Sequence, residues 1–384
     1  MLSYFRDSDP LEMRQLGQST EKLTKSLDSK QTDPNLPERF RREDFNSMAQ
    51  QGLTFLASSE NNDELPQHQT TAGVIFELAK SQLGRAIYLS VHLMVSKLIE
   101  KHGSSAYSKS VVEALLNGKK LGAFCLTEAG AGSDAAALSC SAKKNPDSYE
   151  LNGEKIYITS GPEADIFLVF ARTSEQGSKG ISAFIVESDN TGLTVGKSEA
   201  KMGCEGSPIS TVTFEKCKVS PDALIGGENS GFGIALSGLA GGRVNIAAAA
   251  CGISTKAISI AQNFCKERKQ FSKPIIEFQA LRFMLADMVA RTEASILLTR
   301  NAANELASGK RASAAAAIAK CQATDAAMQT TSDAVQLLGG AGYLREYRVE
   351  KLMRDAKMLQ IVEGTNQIQR IVISNALLAG KLYE

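Results

Sequence analysis

At 384 residues and a formal net charge of +1, the chain is longer than one hydrophobic core usually supports, so two or three packed sub-domains are expected. The near-neutral charge gives no electrostatic reason for nucleic-acid or anionic-membrane binding. No apolar run reads as long enough for a membrane span, Ile246 to Ala250 being too short. Met1 to Asp7 lacks a basic region followed by an apolar block, so no signal peptide is read and a cytoplasmic protein is expected. Seven cysteines, at 125, 140, 204, 217, 251, 265 and 321, show no Cys-x-x-Cys spacing and no nearby histidine. That pattern argues against zinc or a disulfide framework and predicts buried free thiols. His68, His92 and His102 are too scattered for a metal cluster or a Ser-His-acid triad and are expected in helices.

In chain order, Leu11 to about Asn117 has helical spacing, as in Leu23 and Leu27, then Val91, Val95, Leu98 and Ile99. Breaks are read around Asp28 to Pro37 and in the polar patch Ser58 to Thr70. From Leu121 to about Val219, short β-branched and aromatic runs at 153–159, 166–170, 181–186 and 211–214 alternate with glycine turns. These predict a small antiparallel β domain. From Gly231 to Glu384, Ala-rich amphipathic helices are predicted over 233–266, 278–307 and 312–338, with breaks near Pro274, Gly309 and Gly339 to Gly342. The division is a helical domain at 1–120, a β domain at 121–230 and a helical domain at 231–384. An α–β–α order excludes Rossmann and P-loop architectures, whose strands alternate with helices.

Four segments carry candidate chemistry. Phe124 to Asp134 (Phe-Cys-Leu-Thr-Glu-Ala-Gly-Ala-Gly-Ser-Asp) is an apolar run halted by Thr127-Glu128 and followed by two glycines. Such a backbone turns tightly and presents N–H groups to a flat or anionic ligand, with the Thr127 and Ser133 hydroxyls on the rim. An ordinary surface turn is the alternative. Glu267 to Phe271 sets a guanidinium and an aromatic ring on one loop, suited to a phosphate and a flat ring, or else simply closes a helix with charge. Gln336 to Tyr343, with three glycines in four positions, ends a helix where backbone can approach a ligand; the charged tail to Asp355 otherwise reads as a solvated helix face. Glu363 sits among Ile361, Val362 and Gly364, a setting that raises a carboxylate pKa and poises it as a base; a glutamate favoured at a helix start is the alternative. Thr365 or Asn366 is a candidate cap for the last helix.

At these four places the chain resembles the acyl-CoA dehydrogenase family, from about residue 85 to the C-terminus and more weakly over the first helices. Cys125 to Asp134 resembles that family's first signature and Gln336 to Asp355 its second. The resemblance implies an α+β fold with an N-terminal helical domain, a middle antiparallel β domain and a C-terminal four-helix bundle, with FAD bound between the last two. It implies that Phe124, Leu126 and Thr127 line the flavin, that Gly132 and Ser133 contact the cofactor, and that Ser133 also meets CoA. Tyr157 and Thr159, in the place of the family's Trp-Ile-Thr strand, would lie against the isoalloxazine. Arg268, Phe271 and Gln279, with Gln336 to Gly340 of a second subunit, would hold pyrophosphate and adenosine, and Thr365 and Gln367 would complete the set.

Glu363 falls on the family's α-proton base, with flavin N5 as hydride acceptor and a 2-enoyl-CoA as product; Arg243 and Gly364 fall beside the substrate. Some relatives carry the base on an earlier helix immediately before an arginine, and that place here is Gly242. Gly241 to Asn245 resembles branched short-chain members such as isobutyryl-CoA dehydrogenase, and Ser90-Val91-His92 resembles the short-chain group. An acyl-CoA substrate, electron-transferring flavoprotein as partner and a homotetramer (dimer of dimers) are the family's expectations. Three departures stand out: Tyr157 for tryptophan, Ala129 where proline is common, and no Glu-Tyr-Gly-Gly element across 60–69. Alternatives on the same scaffold are an acyl-carrier-protein-linked or oxygen-using biosynthetic relative and a non-catalytic helical binding protein.

Overall fold

The computed structural model describes residues 2–29, 37–59, 67–308 and 312–382. The expected break at Gly309 and most of the atypical 60–69 segment lie outside them. Five helices come first: α1 (Leu11–Asp28), α2 (Arg42–Gln50), α3 (Gln67–Ser81), α4 (Leu83–His102) and α5 (Ala106–Leu116). Eight strands follow: β1 (Gly122–Cys125), β2 (Ser141–Lys144), β3 (Tyr149–Thr159), β4 (Ile166–Arg172), β5 (Ile181–Glu187), β6 (Leu193–Val195), β7 (Ile209–Val219) and β8 (Leu224–Ile225). Then come α6 (Gly231–Glu267), the small hairpin β9 (Lys269–Gln270) and β10 (Lys273–Pro274), α7 (Gln279–Ser308), α8 (Ala312–Leu338), α9 (Val349–Leu359) and α10 (Asn366–Leu378).

The sheet runs β6-β7-β3-β2-β4-β5-β8, with β1 also on β4. Most pairs are antiparallel, as expected, but β1 and β2 both lie parallel to β4, Gly122 opposite Ile166 and Ser141 opposite Arg172. A parallel pair needs a long crossover, and the chain between these strands supplies it. Strand β4 (IFLVFAR) is buried along nearly its whole length, which is what a central strand covered on both faces requires. Strand β2 (SAKK) has no β-branched or aromatic residue, so no sequence signal marked it.

Helix α6 is long and apolar enough to cross a membrane by length and composition, beyond what the sequence reading allowed, yet 72% of its most apolar stretch is buried inside the protein. The small residues Ala247 to Cys251 let α3 and α8 approach closely; Phe76 of α3 and Ala316 to Ala327 of α8 share one core with them. Phe167, Phe170 and Phe184 anchor a second core inside the sheet. All seven cysteines are buried and free. His92 is a core residue whose Nε2 donates to Leu115 O while its Nδ1 accepts from Gly122 N–H, joining α4 to β1.

The stretch ending at Asp355 is a solvated face only in its first part, where Arg345, Glu346 and Tyr347 are exposed. Lys351 and Asp355 are buried; Lys351 pairs with Glu38 at 2.9 Å and with Asp355 at 2.5 Å. Asp355 Oδ1 accepts the Cys204 N–H at 2.6 Å. Buried charges have to be paired, and this group fastens the 200–206 segment of the β6–β7 connection to α9.

Candidate active site

The loop after β1 is drawn tight by reciprocal backbone hydrogen bonds between Glu128 and Ala131, both 3.1 Å. The Glu128 side chain turns inward and accepts from Ser139 N–H (2.6 Å), Ser139 Oγ–H (2.8 Å) and Cys140 N–H (2.9 Å). Lys155 of β3, fully buried, donates to Glu128 Oε1 at 2.7 Å and to Leu126 O at 3.1 Å. Burial alone would raise the Glu128 pKa, but the Lys155 and backbone donors outweigh it and hold the carboxyl below its ordinary value. The sequence reading missed this pair; an isolated lysine among the alternating residues of β3 is its one trace. Removing the ammonium leaves a buried carboxylate alone, so Lys155→Met is expected to destabilise the protein by about 3 kcal/mol. A thermal-unfolding midpoint equal to wild type would contradict that.

With the loop pinned, Gly130 and Gly132 have open space where a Cβ would stand, and Ser133 is exposed. Thr127 O accepts the Ile156 N–H at 2.9 Å, which sets Thr127 beside Tyr157. The β3–β7 register shifts between Lys155 and Ile158, and there Tyr157 takes φ 58° with 64% of its surface exposed. A left-handed tyrosine costs on the order of 1–3 kcal/mol, and it holds the ring out as a flat platform. Leu126 is buried, Thr127 and Thr159 are half-buried, and Phe124 packs its ring 4.9 Å from that of Phe170. Seven of the sequence-selected residues, Phe124, Leu126, Thr127, Gly132, Ser133, Tyr157 and Thr159, thus lie on adjoining segments at the ends of β1 and β3.

Glu363 occupies the turn between α9 and α10, at φ 54°, with Gly364 following at φ 85°. Thr365, rather than Asn366, caps α10 by accepting the Ile368 N–H at 3.3 Å. Glu363 as a whole is half-buried, but its carboxylate points inward, and Oε2 is buried without a hydrogen-bond partner. The space it fills is the missing side chain of Gly242 on α6: a Cβ there would stand 2.4 Å from Oε2 and 3.3 Å from Oε1. The two chain positions considered for a base therefore converge on one point in space. Arg243, the next residue, is buried with Nε unpartnered. Burial dominates the carboxylate's electrostatics; although Arg243 and Lys320 act against it, the Glu363 pKa is pushed up to about 7. A group that titrates near neutrality suits proton abstraction from carbon.

Arg268, Gln279, Gln336 and Gln367 are exposed. Phe271 is 87% exposed at the tip of the β9–β10 hairpin, whose turn residues Phe271 and Ser272 both have positive φ. Gly339 and Gly340 face open space. Ile275, Leu337 and Leu338 share one core cluster, so the hairpin and the glycine turn sit at the same end of the helical bundle. Among the described residues, no hydrogen bond joins these segments or the 124–134 loop to Glu363 within one chain.

The helical, β and helical parts make the fold of an oxidoreductase acting on a CH–CH bond, as the matches to known proteins show. Residues 123–217 match the family described as acyl-CoA dehydrogenase, middle domain, and residues 229–378 that described as acyl-CoA dehydrogenase, C-terminal domain. The chain belongs to the acyl-CoA dehydrogenase family. It is 40% identical over 309 residues to mitochondrial isobutyryl-CoA dehydrogenase of Dictyostelium discoideum, covering 80% of this chain and 74% of that one. It superposes on butyryl-CoA dehydrogenase of Megasphaera elsdenii with a TM-score of 0.90 at 38% identity, over 98% of this chain and 100% of the other. The FAD complex of PigA matches with a TM-score of 0.90 at 26% identity, over 97% and 99% of the two chains.

Proposed function

We propose that this chain is an FAD-dependent dehydrogenase of short or branched acyl-CoA thioesters, forming the 2-enoyl-CoA with Glu363 as the α-proton base. One observation carries the base assignment: a buried, unpartnered carboxylate lodged in the notch left by Gly242. FAD is supported by family membership, by the likeness to an FAD complex, and by fit. The exposed left-handed Tyr157 and the open spaces at Gly130, Gly132, Gly339 and Gly340 would admit a flat ring and a pyrophosphate.

In this reading Phe124, Leu126, Thr127, Tyr157 and Thr159 hold the flavin ring, and Gly132, Ser133, Thr365 and Gln367 contact the cofactor. Arg268, Phe271 and Gln279, with Gln336 and Gly340 of a second copy, hold its pyrophosphate and adenosine. FAD, when bound, supplies the acceptor for the hydride leaving Cβ. In the same reading the Glu363 backbone N–H would donate to the thioester oxygen and stabilise charge as the α-proton leaves, while Ser133, Arg243 and Gly364 would contact the substrate. Because the base acts ionised, turnover should rise with pH through the Glu363 pKa near 7. A homotetramer is supported by large apolar side chains left exposed, including Phe271, Phe283, Leu297 and Tyr343. Electron-transferring flavoprotein as redox partner belongs to the same reading.

The test is anaerobic titration of the yellow protein with butyryl-CoA, isobutyryl-CoA and palmitoyl-CoA. Bleaching of the flavin by the first two and not by the third is expected. A protein that none of the three bleaches, or that purifies colourless, would contradict the proposal.

A further inference from the structure

The turn that carries Glu363 is held from behind by groups outside the reaction described above. Lys320 of α8 is fully buried, and its ammonium donates to Gly364 O at 3.0 Å and Asn366 Oδ1 at 2.9 Å. Gln369 of α10, equally buried, donates through Nε2 to Gly364 O at 2.8 Å and to Glu363 O at 3.2 Å. Two consecutive carbonyls of a left-handed turn are thus both held. Asn366 is fixed in turn: its Nδ2 donates to Thr324 Oγ1 at 2.9 Å and to Asp325 Oδ1 at 2.7 Å.

Lys320 is the anomaly in this set. A buried ammonium is costly unless a carboxylate partners it, yet both its acceptors are neutral oxygens. Burial accordingly lowers its pKa to about 8, with the Glu363 carboxylate among the groups acting the other way. The charged groups around Glu363 are few. From α6 comes Arg243 and from α8 comes Lys320. Asp325 of α8 is engaged by Arg370 and Asn366 of α10 and by Gln360, and the neighbouring Cys321 thiol is pushed up and stays neutral.

We propose that Lys320, with Gln369, is the positioning residue of this site: it fixes the Glu363–Gly364 turn and supplies the buried positive charge against which the Glu363 carboxylate ionises. The catalytic consequence rests on Glu363 being the base; the effect on its ionisation does not.

Infrared titration of the substrate-free holoenzyme separates the two. The protonated-carboxyl band of Glu363 is identified by its loss in Glu363→Gln and followed against pH. Lys320→Gln keeps a hydrogen-bond donor but removes the charge, and it should move the midpoint upward by about 1 unit. It should also slow flavin bleaching at pH 7 about fivefold, with that loss recovered at higher pH. Lys320→Arg keeps the charge and should restore both. Lys320→Met removes the charge without introducing another, should shift the midpoint the same way, and carries the test if Lys320→Gln does not fold. A midpoint unmoved in these variants, with only the thermal stability lowered, would overturn the proposal. Wild-type bleaching by Glu363→Gln would instead overturn the base assignment, and the infrared midpoints would still decide the role of Lys320.

Discussion

Glu363→Gln is expected to purify yellow, with FAD and acyl-CoA affinity near wild type, and to lose turnover by about 10²–10⁴-fold, the range that general-base catalysis contributes. The substitution keeps the side chain's length and shape but removes the proton acceptor. The site has no stand-in: the neighbouring α6 position is Gly242, and the charged residues alongside are Arg243 and Lys320, both cationic. The two facts that make this carboxylate unusual, its burial and the absence of a partner for Oε2, are costs to folding that a purely structural glutamate would shed. Stopped-flow absorbance of the flavin against butyryl-CoA reads the rate, and equilibrium difference spectra read the binding. Residual turnover within tenfold of wild type would remove Glu363 from the mechanism.

Gly242→Ala should be nearly as damaging to activity while sparing the fold. The added methyl would stand 2.4 Å from Glu363 Oε2 and 2.8 Å from its carboxyl carbon. Neither distance is tolerable, and what yields is the end of a flexible side chain, not backbone. The carboxylate therefore swings out of the notch, and misplacement by about 1 Å costs on the order of 10²-fold in rate. Alanine also favours a helix interior over glycine by about 1 kcal/mol, so the unfolding midpoint should hold or rise. A rate loss at unchanged stability distinguishes displacement of the base from general damage. Full activity in Gly242→Ala would mean that the carboxylate is not required where the structure places it.

The α–β–α order and the long helices were legible because each depends on local periodicity: 233–266 was read for a helix observed at Gly231–Glu267. Strand β2 was not, because SAKK pairs through its backbone and carries no strand-like side chains. The parallel placement of β1 on β4 is a matter of long-range topology, which alternation of apolar residues does not encode. In the site, Glu363 is legible from its apolar neighbours, Thr127 from its hydroxyl on the rim of a glycine turn, and Tyr157 by resemblance. What stayed hidden were partnerships across the chain. Glu128 with Lys155, Glu38 with Lys351, Lys320 with the Glu363 turn, and Gly242 with the Glu363 carboxylate each join residues on different elements. Buried ion pairs of this kind look like surface charge until both partners are placed.

The most direct measurement of the central claim is exchange of the substrate α-proton with solvent, isolated from oxidation. A 3-thia-acyl-CoA has no hydrogen to give up at the β position, so the holoenzyme can act on it only by removing and returning the α-proton. In D₂O, followed by proton NMR, the wild-type protein should wash deuterium into the α position and Glu363→Gln should not. Exchange by Glu363→Gln at the wild-type rate would contradict the assignment of Glu363 as the base.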